Sequence, residues 1–170
     1  MHGTIKFLPS WWAECERIAR NRSGSKVGTG DRFETEHLPS FERHLVGVVA
    51  EAAVCKHYGK KVDRSVLPGG DRHRPDLTVE GVTVEVKASQ HWPPHLRINI
   101  EADEFQSDIA FVVFVDVEKR EASIWGWVSR EEFMEKAETA DYGYGERLVM
   151  LPPFRRLDEL EYQILLGREQ

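Results

Sequence analysis

The 170-residue sequence predicts one α/β domain, with α+β character, built on a central mixed β-sheet flanked by helices. Three observations carry this. A segment with helical periodicity, Ser40 to Tyr58, is followed by strand-like runs rather than by more helix. Asp108–Val117 (DIAFVVFVDV) is a near-continuous run of strand-forming apolar residues, as in a strand buried on both faces at the centre of a sheet. Between them, Asp76–Ala88 has Val- and Thr-rich arms around Glu80-Gly81, the pattern of a tight hairpin.

Composition bounds the class. Hydrophobic residues make up 41% and charged residues 31%, as in a globular protein. With 23 basic against 29 acidic residues the net charge is −6, which excludes a polycationic nucleic-acid coater. Cys15 and Cys55 are the only cysteines and form no CxxC pair, which argues against a zinc ribbon or iron–sulfur cluster. No stretch approaches the roughly 18 apolar residues of a membrane span, and MHGTIKFLPSWW lacks the apolar run of a signal peptide. A cytoplasmic protein without a membrane partner is expected.

In order along the chain, residues 1–35 form an N-terminal extension of helix and loop. Ser10 caps a helix from Trp11 to about Asn21, with Trp11, Cys15, Ile18 and Ala19 on one stripe. Ser23–Asp31 (SGSKVGTGD) lacks the GK[ST] ending of a phosphate loop and reads as a flexible loop. The Ser40–Tyr58 helix buries Phe41, Leu45, Val48, Ala52 and Cys55, and Gly59 stops it. Glu51 sits at the edge of that stripe, where a carboxylate either pairs with a base or joins a site. Lys61–Leu67 (KVDRSVL) reads as a first strand and Pro68-Gly69-Gly70 as a turn. Asp71 reads as a turn cap or a supporting acid, His73 as an exposed side chain or a phosphate contact.

After the hairpin, His91-Trp92-Pro93-Pro94-His95 is a rigid aromatic loop, because consecutive prolines exclude helix and inner strand. Leu96–Ile100 alternates like a strand, and Ala102–Ser107 fits a turn of helix. Ala122–Val128 (ASIWGWV) alternates, with Ile124, Gly126 and Val128 opposite Ser123, Trp125 and Trp127. Ser129-Arg130-Glu131-Glu132 is a capping box opening a helix to about Glu138. Asp141–Gly145 reads as a loop, Arg147–Leu151 as a last strand and Leu157–Leu166 as a C-terminal helix.

The chemistry-bearing stretch is Arg74–Ser89, RPDLTVEGVTVEVKAS. Alternation puts Glu85 and Lys87 on one face of a strand, roughly 6.5–7 Å apart, and Val86 on the other. A hairpin that starts at Asp76 folds its carboxylate back beside Glu85. Such a cluster is costly to bury unless it is paired or holds a metal. All-oxygen ligands suit Mg²⁺ or Mn²⁺, and an adjacent ammonium suits an attacking water or a developing phosphate charge. Metal-assisted phosphodiester hydrolysis is the chemistry that fits. Between Lys56 and Arg74, six basic residues (Arg72 and Arg74 among them) stand against two acidic ones, Asp63 and Asp71. That segment either meets a phosphate backbone or is a solvated connector.

Pro75-Asp76…Glu85-Val86-Lys87 resembles the motif of the PD-(D/E)XK nuclease superfamily, and the resemblance extends over roughly Phe41 to Val128. It implies a restriction-endonuclease-like core and a Mg²⁺-dependent nuclease, Mn²⁺ substituting, that cuts DNA internally in the manner of an endonuclease. It implies Asp76, Glu85 and the Val86 carbonyl as metal ligands and Lys87 as the group that positions or activates water. It also implies Glu51, from the preceding helix, as a ligand directly or through water, with Gly47 easing that helix toward the sheet. Gln90, Arg72, Arg74 and Trp92 are the candidate substrate contacts, and Trp92 alternatively packs as a hydrophobe. A homodimer or a partner subunit is compatible with this reading. Two rivals stand beside it. One is a catalytically silent module of the same fold that binds DNA or a protein partner. The other is a structural ion-pair cluster on an unrelated α/β fold, with the three motif residues apart.

Overall fold

The computed structural model describes residues 3–24, 40–65, 74–99, 105–141 and 146–161. Its architecture is mixed α/β. The five-stranded sheet has the order β1-β6-β5-β3-β2, where β1 is Ile5–Lys6, β2 Leu77–Val79, β3 Val82–Ser89, β5 Ile109–Asp116 and β6 Glu121–Ser129. Strands β3 and β5 run parallel and the other pairs antiparallel, so the sheet is mixed, with the apolar run of β5 at its centre, as expected. The link between the parallel strands contains β4 (Leu96–Asn99). It leaves the sheet and pairs with β8 (Glu146–Met150), which pairs in turn with β7 (Glu138–Asp141), giving a second sheet of order β4-β8-β7.

Each face of the large sheet buries its own core. On one face lie α1 (Pro9–Gly24) and α2 (Ser40–His57), joined by Leu157 and Leu160 of a helical segment described over 157–161. Because α2 is sandwiched between α1 and the sheet, it buries Val46, Val49, Ala50, Ala53 and Val54 in addition to Leu45, Val48, Ala52 and Cys55 of the expected stripe, while Phe41 is only partly buried. On the other face, Ala110, Val112 and Val128 meet Leu96 and Ile98 of β4, Met150 of β8, Phe105, and Phe133 of α3 (Arg130–Lys136). The ladder starts in register partly through one reciprocal clamp. Thr83 donates through N and Oγ1 to Asp108 Oδ2 (2.8 and 2.6 Å), and the Asp108 N–H donates back to Thr83 Oγ1 (2.9 Å).

Several expectations are corrected. In α1 the buried indole is Trp12, whereas Trp11 is half-buried between Phe7 and Lys56. Residues 61–65 are not a strand, and 66–70 lie outside the described residues. Residues 105–107 are not helical, and 101–104 lie outside the description. The alternation of β6 does not persist. The β5–β6 register shifts between Val112 and Val113, leaving Trp125 as the extra residue of a bulge. Ala122 and Ile124 before the bulge and Trp127 after it therefore all enter the helix-side core. Gly126 lies at the same place because residues 154–155 cross it. A Cβ there would stand 2.5 Å from the Arg155 carbonyl oxygen and 2.8 Å from Phe154 Cβ. Ser129 caps α3 by accepting from the Glu132 N–H at 3.1 Å, but the Glu132 carboxylate turns to Lys136 and Arg155 instead of completing the box. Strand β7, with its polar sequence ETAD, carries no apolar alternation and was not expected; Asp141 belongs to it.

Candidate functional site

The hairpin forms as the motif spacing requires. Glu80 (φ 50°) and Gly81 (φ 88°) both take positive φ, the two-residue turn that matches strand twist. Pairing of Leu77 with Val84 fixes the register, and one step further it brings Asp76 opposite Glu85. Pro75 has no N–H to give, and β2 begins only at Leu77, so among the described residues no strand lies beside the edge of β3 beyond Val84. The Asp76 side chain takes that place: its Oδ2 accepts the Val86 N–H at 2.7 Å. In a strand, the N–H and C=O of one residue face the same edge, so the Val86 carbonyl also points toward Asp76.

Glu85 and Lys87 lie on the sheet face opposite α2, as their partners Ala110 and Val112 show. Lys87 Nζ sits 2.9 Å from Glu85 Oε1. Glu51 approaches from α2, on the other face. Its carboxylate is 13% exposed and is held by both Arg22 terminal nitrogens, at 2.7 and 2.9 Å. Arg22 also donates to the Asp63 carbonyl at 3.1 Å. Asp76 thus lies at the sheet edge between two further acids. Burial, then the charges of Glu51 and Glu85, push its carboxyl up to about 8, against the opposing pull of the Val86 N–H and Lys87. Burial works against the charge of Arg22, but its bidentate bond to Glu51 and the nearby Asp76 and Asp63 charges leave its pKa raised.

Arg22 is the site residue that the sequence reading missed. It comes 29 positions before Glu51 with a long connection between, and it reaches the site only because α1 runs on to Gly24. No local pattern announces such a pair. Among the described residues nothing lies within 4 Å of where a Gly47 Cβ would stand, so Gly47 does not ease α2 against the sheet. Arg74 pairs with Asp63 at 3.3 Å and Arg64 with Glu14 at 2.9 Å, so these cations of the basic segment are matched by acids. Gln90 is exposed, and Arg72, Asp71 and His73 lie outside the described residues. Of the Gly-rich segment, only Ser23 and Gly24 are described, and they end α1. Burial pushes the Cys15 thiol up to about 12 and that of Cys55 up to about 11, so neither is a nucleophile at neutral pH.

Among the described residues, no three His, Cys, Asp or Glu side chains gather as a ready-made metal cage. The donor chemistry nonetheless fits Mg²⁺, which keeps several waters and is held through one or two carboxylates. Asp76, Glu85 and the Val86 carbonyl are hard oxygens at one edge, and a cation there would offset the burial and the neighbouring acid charges that push the Asp76 carboxyl up. No protein-family model, curated protein or solved structure matches this chain. No helix among the described residues is long and apolar enough to cross a membrane.

Proposed function

We propose that this chain is a Mg²⁺-dependent deoxyribonuclease of the PD-(D/E)XK type, with a restriction-endonuclease-like core. The observation that supports this best is the Asp76–Val86 hydrogen bond, which holds one acid opposite a second, Glu85, beside Lys87 at the β2-side edge of β3. Bound Mg²⁺ would polarise the scissile phosphodiester and acidify a water. Asp76 and Glu85 would hold that ion together with the Val86 carbonyl. Lys87, 2.9 Å from Glu85, orients the water and offsets charge developing on the phosphate. Glu51 acts by its charge on Asp76. Each of its oxygens keeps a lone pair beyond the Arg22 bond with which to accept a water.

The test is cleavage of linear duplex, single-stranded, nicked-circular and branched DNA with Mg²⁺, Mn²⁺ or EDTA. Metal-dependent cleavage that disappears in Asp76→Ala and Lys87→Ala supports the assignment, and full activity in pure Asp76→Ala protein refutes it. The Arg22–Glu51 and Lys87–Glu85 pairs favour a second reading, a binding module of the same fold without turnover, because they satisfy the charges internally. Calorimetric titration separates the two: no Mn²⁺ binding at millimolar concentration supports the module.

A further inference from the structure

Strand β3 ends at Ser89, whose hydroxyl accepts the His91 N–H at 3.3 Å and turns the chain into the Trp92 loop. Trp92 is 65% exposed, yet it is not a free side chain. Its ring stands edge-on to Trp125 (centroids 4.8 Å apart, planes at 88°) and to Phe114 (5.4 Å, 79°). Phe114 pairs with Ser89, and both lie on the face that carries Glu85 and Lys87. Phe114 is two residues beyond Val112, the partner of Lys87, so this aromatic group lies roughly 7 Å further along the strands. Beyond it, Asp116 and Glu121 are each matched by a lysine, Lys119 and Lys6.

An exposed indole costs solvation and would ordinarily be buried or mobile. Here two aromatic neighbours hold it while most of its surface stays in water. A ring fixed in this way is pre-organised for stacking, and every nucleobase has a π-face. A base inside a continuous duplex is already stacked on both sides and is not available. Resting on the nuclease reading above, we propose that Trp92, braced by Trp125 and Phe114, stacks an unpaired base next to the Asp76–Glu85–Lys87 edge, so that the substrate is DNA carrying single-stranded nucleotides. Continuous duplex is the poorer ligand.

The test is binding, which needs no turnover. Full-length protein in EDTA is titrated against fluorescein-labelled oligonucleotides of equal length: single-stranded, blunt duplex, duplex with a single-stranded overhang, and a single strand with abasic sites. The single strand and the overhang should bind at least tenfold more tightly than blunt duplex. Trp92→Ala should lose about 5- to 100-fold on those two and little on duplex. Trp92→Phe should retain most of the affinity, and abasic substitution should cost the unmodified protein about what Trp92→Ala costs. Equal affinity of Trp92→Ala for the single strand, or no preference over duplex, overturns the proposal. Loss of a dimer on size-exclusion in Trp92→Ala, with oligonucleotide binding unchanged, also overturns it and assigns the ring to self-association. The nuclease reading fails separately: if Asp76→Ala still cleaves while Trp92-dependent binding persists, the stacking site stands without that active site.

Discussion

Asp76→Asn tests the electrostatic core of the site without any substrate. The amide keeps an oxygen to accept the Val86 N–H, so the fold at the edge of β3 is retained while the charge is removed. In the folded protein the Asp76 carboxyl titrates near 8 instead of near 3.8, so from about pH 4 to pH 8 the folded state binds the proton more tightly than the unfolded chain. Stability must then fall as pH rises through that window, with the loss complete above about pH 8. The distance from 3.8 to about 8 sets an upper limit of roughly 6 kcal/mol. Glu51 and Glu85 share the proton's effect, so about 2–3 kcal/mol is expected. The observable is the stability of wild type minus that of Asp76→Asn, by urea unfolding in EDTA at pH 5 and pH 9, which cancels groups that titrate alike in both. The variant should be the more stable protein at pH 9 by about 2–3 kcal/mol more than at pH 5, a difference of roughly 4–12 °C in Tm for a chain of this size. Mn²⁺ at ten times its Kd should then add about 1.4 kcal/mol to wild type at pH 8 and nothing to the variant. A wild-type-minus-variant difference that does not change with pH would refute the argument that burial and the neighbouring Glu51 and Glu85 charges push the Asp76 carboxyl up.

Arg22→Ala leaves the largely buried Glu51 carboxylate without its bidentate partner, and should cost roughly 3 kcal/mol by urea unfolding. Arg22→Lys should recover only part of this, because an ammonium cannot make the two-pronged bond. Gly126→Ala drives a methyl group into the Arg155 carbonyl and Phe154, and should lower stability by about 1–3 kcal/mol in thermal melts; a neutral result would mean that the 154–155 segment is not held against β6. Lys87→Ala should reduce metal-dependent cleavage at least about 100-fold while metal affinity, read by calorimetry, changes far less; equal loss of both would make Lys87 a support for Glu85 and not a participant in the reaction.

Much of this protein is legible from local pattern. Period-2 alternation and the Glu80-Gly81 turn specify the hairpin, and a tight turn leaves one register, which fixes Asp76 opposite Glu85. The apolar run at 109–116 can be satisfied only by burial on both faces, so it locates the centre of the sheet. These are short-range constraints, and sequence encodes them directly. Tertiary structure decided the rest. Which of two adjacent indoles is buried depends on the angle at which α1 meets its neighbours, not on α1 itself. The phase of β6 changes at Trp125 because another segment crosses Gly126, and no alternation within β6 records that crossing. The polar strand β7 exists because β8 offers it an edge. Arg22 reaches Glu51 across 29 positions, and the charge state of Asp76 follows from its burial and then from acids delivered to it from both faces of the sheet. Long-range electrostatics of this kind depend on distances that only the folded chain sets.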